Sequence, residues 1–249
     1  MKRQLRLGFV IVILCVASAH AQDAKEIVRK ANDLLRGSHT TSEISMTIIK
    51  PEWTRTISMK TWSLEPDFAL VYITEPAHDK GSVTLKRKNE VWNWVPSIQR
   101  VIKIPPSMML QSWMGSDFTN DDLVRQSSIV DDYSHTILSE EMYDGNRCWK
   151  IQLIPKPDAG VVWGRLYMWI SKGTYLELKI EYYDEDGNLA KSFVGSKIKT
   201  FDERPLPSHW EMIPANKQGE KTVMEYHQLK FSIDLEPGFF SEQNMKRVR

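Results

Sequence analysis

Apolar and polar residues alternate one by one through much of this chain, and this period of two is typical of β-strands with one buried face. The alternation is clear at residues 44–48, 55–59 and 69–73. Turn-forming dipeptides separate such runs, and Asp144-Gly145 and Asp186-Gly187 are strong hairpin signals. The pattern predicts a mainly β fold of about eleven strands, mostly paired antiparallel with their sequence neighbours.

One segment near the N-terminus has helical spacing instead. Ile27, Ala31 and Leu34 recur on one helical face, and Gly37 follows the last of them. The spacing predicts a helix over residues 23–36, capped by Asp23 and ended at Gly37.

The first 21 residues have the features of a secretory signal peptide. A basic start precedes an apolar run at residues 9–16, and Ala19-His20-Ala21 offers a small-residue cleavage site. The run is shorter than the ~20 residues that a membrane-spanning helix needs. We therefore expect residues 1–21 to be cleaved and residues 22–249 to form one β domain in the periplasm, since no linker divides them.

Composition limits what the mature chain can bind. Removing the leader takes three of the 33 basic residues and none of the 32 acidic ones, which leaves a formal charge of −2. This balance gives no reason to expect nucleic acid or strong electrostatic binding to anionic membrane, although transient membrane contact stays open. Cys148 is the only cysteine left after cleavage, so an intramolecular disulfide is excluded.

The segment at residues 107–126 interrupts the β pattern. It carries Met108, Met109, Trp113 and Met114 before an acidic cluster, and its composition predicts short helices or a long loop. Methionine adapts to irregular apolar surfaces, including those of ligands. The segment is therefore either a movable cover over a cavity, flanked by acidic surface residues, or a fixed plug in the core.

Large aromatic rings are frequent in the predicted strands. Trp92 and Trp94 share one face of a strand, and residues 163–170, which include Trp163 and Trp169, are apolar or aromatic on both faces. Such a sheet is covered on both sides or curls around a cavity, whereas a β-sandwich with an aromatic core is the plainer alternative. The candidate ligand-binding residues are Trp92, Trp94, Met108, Met109, Trp113, Met114, Trp163 and Trp169.

Several runs resemble the bacterial family of outer membrane lipoprotein-sorting proteins, which belongs to the superfamily of the LolA and LolB carriers. The longest is SWMGSDFTNDDL at residues 112–123, and shorter ones are PEWTRT (51–56), WNWVPS (92–97), IPPSMM (104–109) and YYDEDG (182–187). The resemblance implies an unclosed, strongly curved antiparallel β-barrel with helices over an apolar cavity. It also implies a periplasmic carrier for lipoprotein acyl chains or another lipid or hydrophobic molecule.

Other functions fit the residues less well. An envelope sensor, or an accessory protein of an inner-membrane exporter of the resistance-nodulation-division (RND) type, is the main alternative that the resemblance leaves open. No Gly-X-Ser-X-Gly elbow, phosphate loop or metal-ligand spacing is present, so we expect no enzyme, metal or cofactor. An outer-membrane barrel is disfavoured because lysines such as Lys60, Lys86 and Lys179 recur within the predicted strands.

Overall fold

The computed structural model describes residues 16–125, 129–157, 159 and 161–248. Residues 1–15, which hold most of the predicted leader, lie outside the described residues. The described residues contain three α-helices and thirteen strands. The helices are α1 (Val16–Arg36), α2 (Asn120–Arg125) and α3 (Glu242–Met245). The strands are β1 (His39–Lys50), β2 (Trp53–Leu64), β3 (Phe68–Glu75), β4 (Val83–Arg87), β5 (Glu90–Val95), β6 (Arg100–Lys103), β7 (Tyr133–Tyr143), β8 (Asn146–Pro155), β9 (Arg165–Ser171), β10 (Glu177–Tyr183), β11 (Leu189–Phe201), β12 (Arg204–Pro214) and β13 (Lys221–Phe231).

All thirteen strands form one antiparallel sheet that does not close. Its order is β6-β5-β4-β3-β2-β1-β13-β12-β11-β10-β9-β8-β7, so β6 and β7 are the two edges. The prediction of a mainly β, unclosed architecture is confirmed. The sheet has two more strands than the predicted eleven or so, because a strand as short as β6 shows almost no alternation.

The hairpin of β1 and β2 shows how the sequence pattern sets the two faces of the sheet. In β1 every second residue from Thr40 to Ile48 is buried, and the residues between them are half-buried. The strands pair in register from His39 opposite Leu64 to Lys50 opposite Trp53, on either side of the turn at Pro51. The buried residues lie on the inner face of the sheet.

Helix α1 packs on this inner face. Ala24, Ile27, Val28 and Ala31 are buried in the same core cluster as the inner residues of the strands, which is the amphipathic pattern that the spacing predicts. Gly37 has a φ of +63° and donates its N–H to Asp33 O at 3.0 Å, so it ends the helix as predicted. The helix does not begin at Asp23 as predicted, because its described part extends back to Val16 and crosses the predicted cleavage position.

The outer face of β9 explains why this strand is apolar on both sides. Met168 and Ile170 face the core, while Trp169 belongs to a separate cluster and is 4% exposed. In that cluster the Tyr143 ring lies 6.1 Å from the Trp169 ring. The Nζ atoms of Lys179 and Lys150 lie 4.5 Å and 4.8 Å from its centroid, an arrangement that shields the ring further and adds cation–π attraction.

The C-terminal segment covers another part of the outer face. Phe240, Met245 and Val248 are buried against Leu70 and Leu85, which point outward from β3 and β4. This packing closes the outer side of the sheet behind the strands that line the cavity described below.

Candidate functional site

A cavity of about 200 Å³ lies on the inner face of the sheet. It is bounded by the end of α1, by β1 to β4, by β11 to β13 and by the loop that precedes α2. Its position matches the apolar cavity that the family resemblance implies, between the sheet and the segments that lie over it.

One end of the cavity is aromatic and aliphatic. Trp210 stacks on Phe193 with 4.6 Å between ring centroids and 15° between planes, and Phe118 meets Phe193 edge-on at 5.7 Å. Ile44 and Met59 line the same region from β1 and β2. These residues form an apolar wall, and its stacked and edge-on ring pairs each add stability beyond simple burial.

The other end of the cavity is lined by hydroxyl groups. Thr40 Oγ1 and Ser63 Oγ lie 2.5 Å apart, and Ser42 Oγ and Thr61 Oγ lie 2.6 Å apart, in cross-strand pairs between β1 and β2. Each pair satisfies part of its own hydrogen-bonding requirement while facing the cavity. Along the same two strands, the inner face therefore changes from apolar to polar.

A buried lysine stands at this polar end. Lys86 is 6% exposed, and its Nζ donates a hydrogen bond to Pro66 O at 2.8 Å. Burial lowers the pKa of Lys86, an effect that the charge of Glu65 partly opposes. Arg36, at the end of α1, and Glu65 line the cavity with it.

A smaller chamber of about 40 Å³ adjoins the cavity. Arg36, Asp122 and Phe193 line both spaces. In the small chamber, burial raises the pKa of the Glu177 carboxyl to about 7, and the charge of Arg36 limits the rise. Burial also raises the pKa of the neighbouring Tyr182.

The loop before α2 forms the wall of the cavity next to β4. Trp113 is 5% exposed, its backbone N–H donates to Phe118 O at 2.8 Å, and its indole N–H donates to Thr84 Oγ1 at 3.2 Å. Thr84 in turn donates to Asn93 Oδ1 at 2.8 Å. A turn of 3₁₀ helix at Pro106–Met108 and helix α2 flank the loop. The prediction was short helices or a long loop, and the segment contains both.

Two ion-pair systems tie this segment to the sheet. Lys50 Nζ lies 2.7 Å from both Asp117 Oδ1 and Glu220 Oε2. Lys191 Nζ lies 2.5 Å from Asp122 Oδ2, and both side chains are at most 7% exposed. The expectation that the acidic cluster of Asp117, Asp121 and Asp122 is a surface feature is therefore wrong. Asp121 and Asp122 are buried, and Asp117 and Asp122 pair with inward-facing lysines.

The structure brings together only some of the predicted site residues. Trp113 lines the cavity and Trp163 lines the small chamber, where Lys191 Nζ lies 5.0 Å from its ring centroid. Met114 packs against the main core, Met109 is half-buried and Met108 is 37% exposed.

Three predicted tryptophans lie on the outer face instead. Trp92 and Trp94 pack in the cluster beneath the C-terminal segment, and Trp169 lies under the lysines of the outer face. Among the cavity-lining residues that the structure describes, none of these three is present.

The polar residues of the cavity were missed by sequence analysis. In the sequence, Lys86 indicates only that a membrane barrel is unfavourable, and Arg36 marks only the end of the predicted helix. The one available signal was that Lys86 lies two residues after Thr84 and so shares its face of β4. Identifying that face as the inner one required the tertiary structure.

One family model covers most of the chain. A family model described as uncharacterized protein-like matches residues 65–247. The chain belongs to this family. No curated protein shows significant sequence similarity to it.

Solved structures share the fold of the chain. A DUF1329 family protein from Desulfovibrio piger is 23% identical, with a TM-score of 0.82 over 91% of this chain and 99% of that one. A putative outer membrane lipoprotein-sorting protein domain from Vibrio parahaemolyticus is 23% identical, with a TM-score of 0.80 over 91% and 100%. A LolA superfamily protein from Nitrosomonas europaea is 21% identical, with a TM-score of 0.75 over 88% and 98%. The resemblance to this superfamily is confirmed at the level of the fold.

None of the helices in the described part of the chain combines the length and the apolar character needed to cross a bilayer.

Proposed function

We propose that this protein is a periplasmic carrier of a lipid or another hydrophobic molecule, secreted by a leader that is cleaved before Gln22. The observation that carries the proposal is the cavity of about 200 Å³ on the inner face, with its wall of Phe118, Phe193 and Trp210. An acyl chain in water gains about 0.8 kcal/mol for each methylene that it buries. The aromatic wall supplies a surface for such burial.

The size of the cavity limits the cargo. Sites that enclose a drug-sized ligand usually have ~300–1,000 Å³, and this cavity of about 200 Å³ is smaller. It suits one alkyl chain rather than the several chains of a complete lipoprotein anchor. The similarity in fold to a putative lipoprotein-sorting domain supports the carrier function in general, and the volume favours a single-chain cargo.

We propose that ligands enter at the polar end of the cavity. Ser63, Glu65 and Ala69 are half-buried there, at the end of β2, in the turn and at the start of β3. The opposite wall is held by the hydrogen bond from Trp113 to Thr84. A chain that enters by its tail therefore reaches the aromatic wall without displacing Trp113.

A titration with the apolar dye N-phenyl-1-naphthylamine tests the proposal. We expect a dissociation constant in roughly the micromolar range, together with quenching of tryptophan fluorescence, because Trp113 and Trp210 line the cavity. The substitution Ala69→Leu fills cavity space from β3 and should weaken dye binding by roughly tenfold, equivalent to ~1.4 kcal/mol.

Thr47→Leu is the matched control. Thr47 lies on the outer face of β1, between buried inward residues, so the added leucine does not enter the cavity. Dye binding that is equal in Ala69→Leu and the wild type, or a folded protein that binds no apolar ligand, would contradict the proposal.

A further inference from the structure

We infer that the polar end of the cavity binds the anionic head group of a single-chain amphiphile, whose tail lies against the aromatic wall. Lys86 is the principal contact for the head group, and Arg36 faces it from α1. This inference rests on the carrier function proposed above and names the class of its cargo.

The gradient of polarity along β1 and β2 sets the orientation. Thr40 and Ser63 form a hydroxyl pair at one end, whereas Ile44 and Met59 pair across the same two strands further along and line the cavity with apolar side chains. A molecule that is apolar throughout gains nothing from the hydroxyl end. An amphiphile matches both ends, with its head beside the hydroxyl groups and its tail beyond them.

Lys86 determines which charge the head group carries. A buried ammonium group has lost hydration, so an anion brought beside it gains more from the interaction than at the protein surface. Its Nζ already lies against Pro66 O at 2.8 Å, which holds the ammonium in place at the polar end. A head group there meets a fixed, partly desolvated cation.

The ammonium of Lys86 favours an anion over a cation at close range. Lys86 lines the cavity together with Arg36, Glu65 and Asp122, and Asp122 is paired with Lys191 at 2.5 Å. A cationic head group beside Lys86 Nζ would meet a like charge at contact distance, whereas an anionic head group would meet an opposite one.

The test compares four twelve-carbon ligands by displacement of N-phenyl-1-naphthylamine at pH 7.5. Dodecanoate and dodecyl phosphate carry anionic head groups, dodecanol is neutral and dodecyltrimethylammonium is cationic. We expect at least one anionic ligand to bind roughly tenfold more tightly than dodecanol, as a charge-assisted contact provides. The tighter of the two anions identifies the head group as carboxylate or phosphate.

Three variants locate the contact. Lys86→Met keeps the length of the side chain without its charge, and it should reduce the preference for anions to near unity while dodecanol binds as before. Glu65→Gln removes a carboxylate that lines the cavity with Lys86 and should tighten the binding of anions. Lys230→Met, at an exposed position of β13, makes the same change of net charge away from the cavity and should leave all affinities unchanged.

The outcomes separate this inference from the carrier function. Equal binding of dodecanol and both anions by the wild type would overturn the head-group site while leaving the carrier intact, and this result needs no variant to fold. Retention of the anion preference in folded Lys86→Met would also overturn it. Failure of all four ligands to displace the dye, or failure of the dye itself to bind, would instead count against the carrier function.

Discussion

The indole N–H of Trp113 donates a hydrogen bond to Thr84 Oγ1 at 3.2 Å, and this contact joins the loop before α2 to the inner face of β4. The loop is therefore part of the cavity wall in this structure. The two interpretations of the sequence, a movable cover and a fixed plug, predict different losses of unfolding free energy when Trp113 is replaced.

We expect Trp113→Ala to lower the free energy of unfolding by about 3–5 kcal/mol, because it removes a ring that is 5% exposed and leaves a cavity. Met108→Ala, in the same segment but 37% exposed, should cost less than about 0.5 kcal/mol. Denaturant midpoints measure both. A cost below about 1 kcal/mol for Trp113→Ala, with faster release of bound dye, would instead indicate a movable cover.

Gly195 allows Trp210 to lie across β11. The two residues are directly opposite in the β11–β12 pair, and a Cβ atom on Gly195 would lie 2.9 Å from Cη2 of the Trp210 ring. We expect Gly195→Ala to displace this ring and to cost about 1–3 kcal/mol of stability. Gly173→Ala, where a Cβ atom meets nothing within 4 Å, is the control and should change stability by less than about 0.5 kcal/mol. Equal effects of the two substitutions would show that Trp210 is not held in this way.

The buried pair of Asp122 and Lys191 should be sensitive to loss of one partner. We expect Lys191→Met to cost about 3–5 kcal/mol, since it leaves a carboxylate buried without its counter-charge. Adding Asp122→Asn to Lys191→Met should recover part of that loss. The exposed pair of Lys25 and Asp131, at 3.0 Å, provides the comparison, and its disruption should cost less than about 1 kcal/mol. Additive effects of the two buried substitutions would contradict a coupled pair.

Glu177 should make stability depend on pH. Its pKa rises from 4.5 to about 7 on folding, so between these values the folded protein binds more protons than the unfolded chain. Stability therefore falls as pH rises through this range, by about 3 kcal/mol in total for this group. Glu177→Gln, which resembles the protonated carboxyl, should remove that fall. Unfolding curves from pH 4.5 to 8 test this, and identical slopes in the two proteins would exclude Glu177 as the source.

The sequence was sufficient to predict most of the strands and their turns. The strand predicted to carry Trp92 and Trp94 on one face is β5, and the predicted turn at Asp144-Gly145 connects β7 and β8. Alternation and turn chemistry are local properties, so a single chain displays them directly. The helix stop at Gly37 was predictable for the same reason.

The site was less predictable because it depends on which face of each strand turns inward. Trp92 and Trp169 are of a residue type that often lines apolar cavities, yet they lie on the outer face, where Lys103 and Lys179 contact their rings. Lys86 is of a residue type that usually lies on the surface, yet it faces the cavity. Alternation separates two faces but does not say which one faces the core, and that choice is made by pairing between distant strands.

The central claim is that the inner cavity carries a hydrophobic cargo, and native mass spectrometry of the protein purified from its own periplasm tests it most directly. The account predicts a bound mass of a single-chain amphiphile, lost on denaturation and reduced in the Ala69→Leu variant. A folded protein that shows only the mass of its own polypeptide, and that takes up no amphiphile when one is added, would contradict the claim.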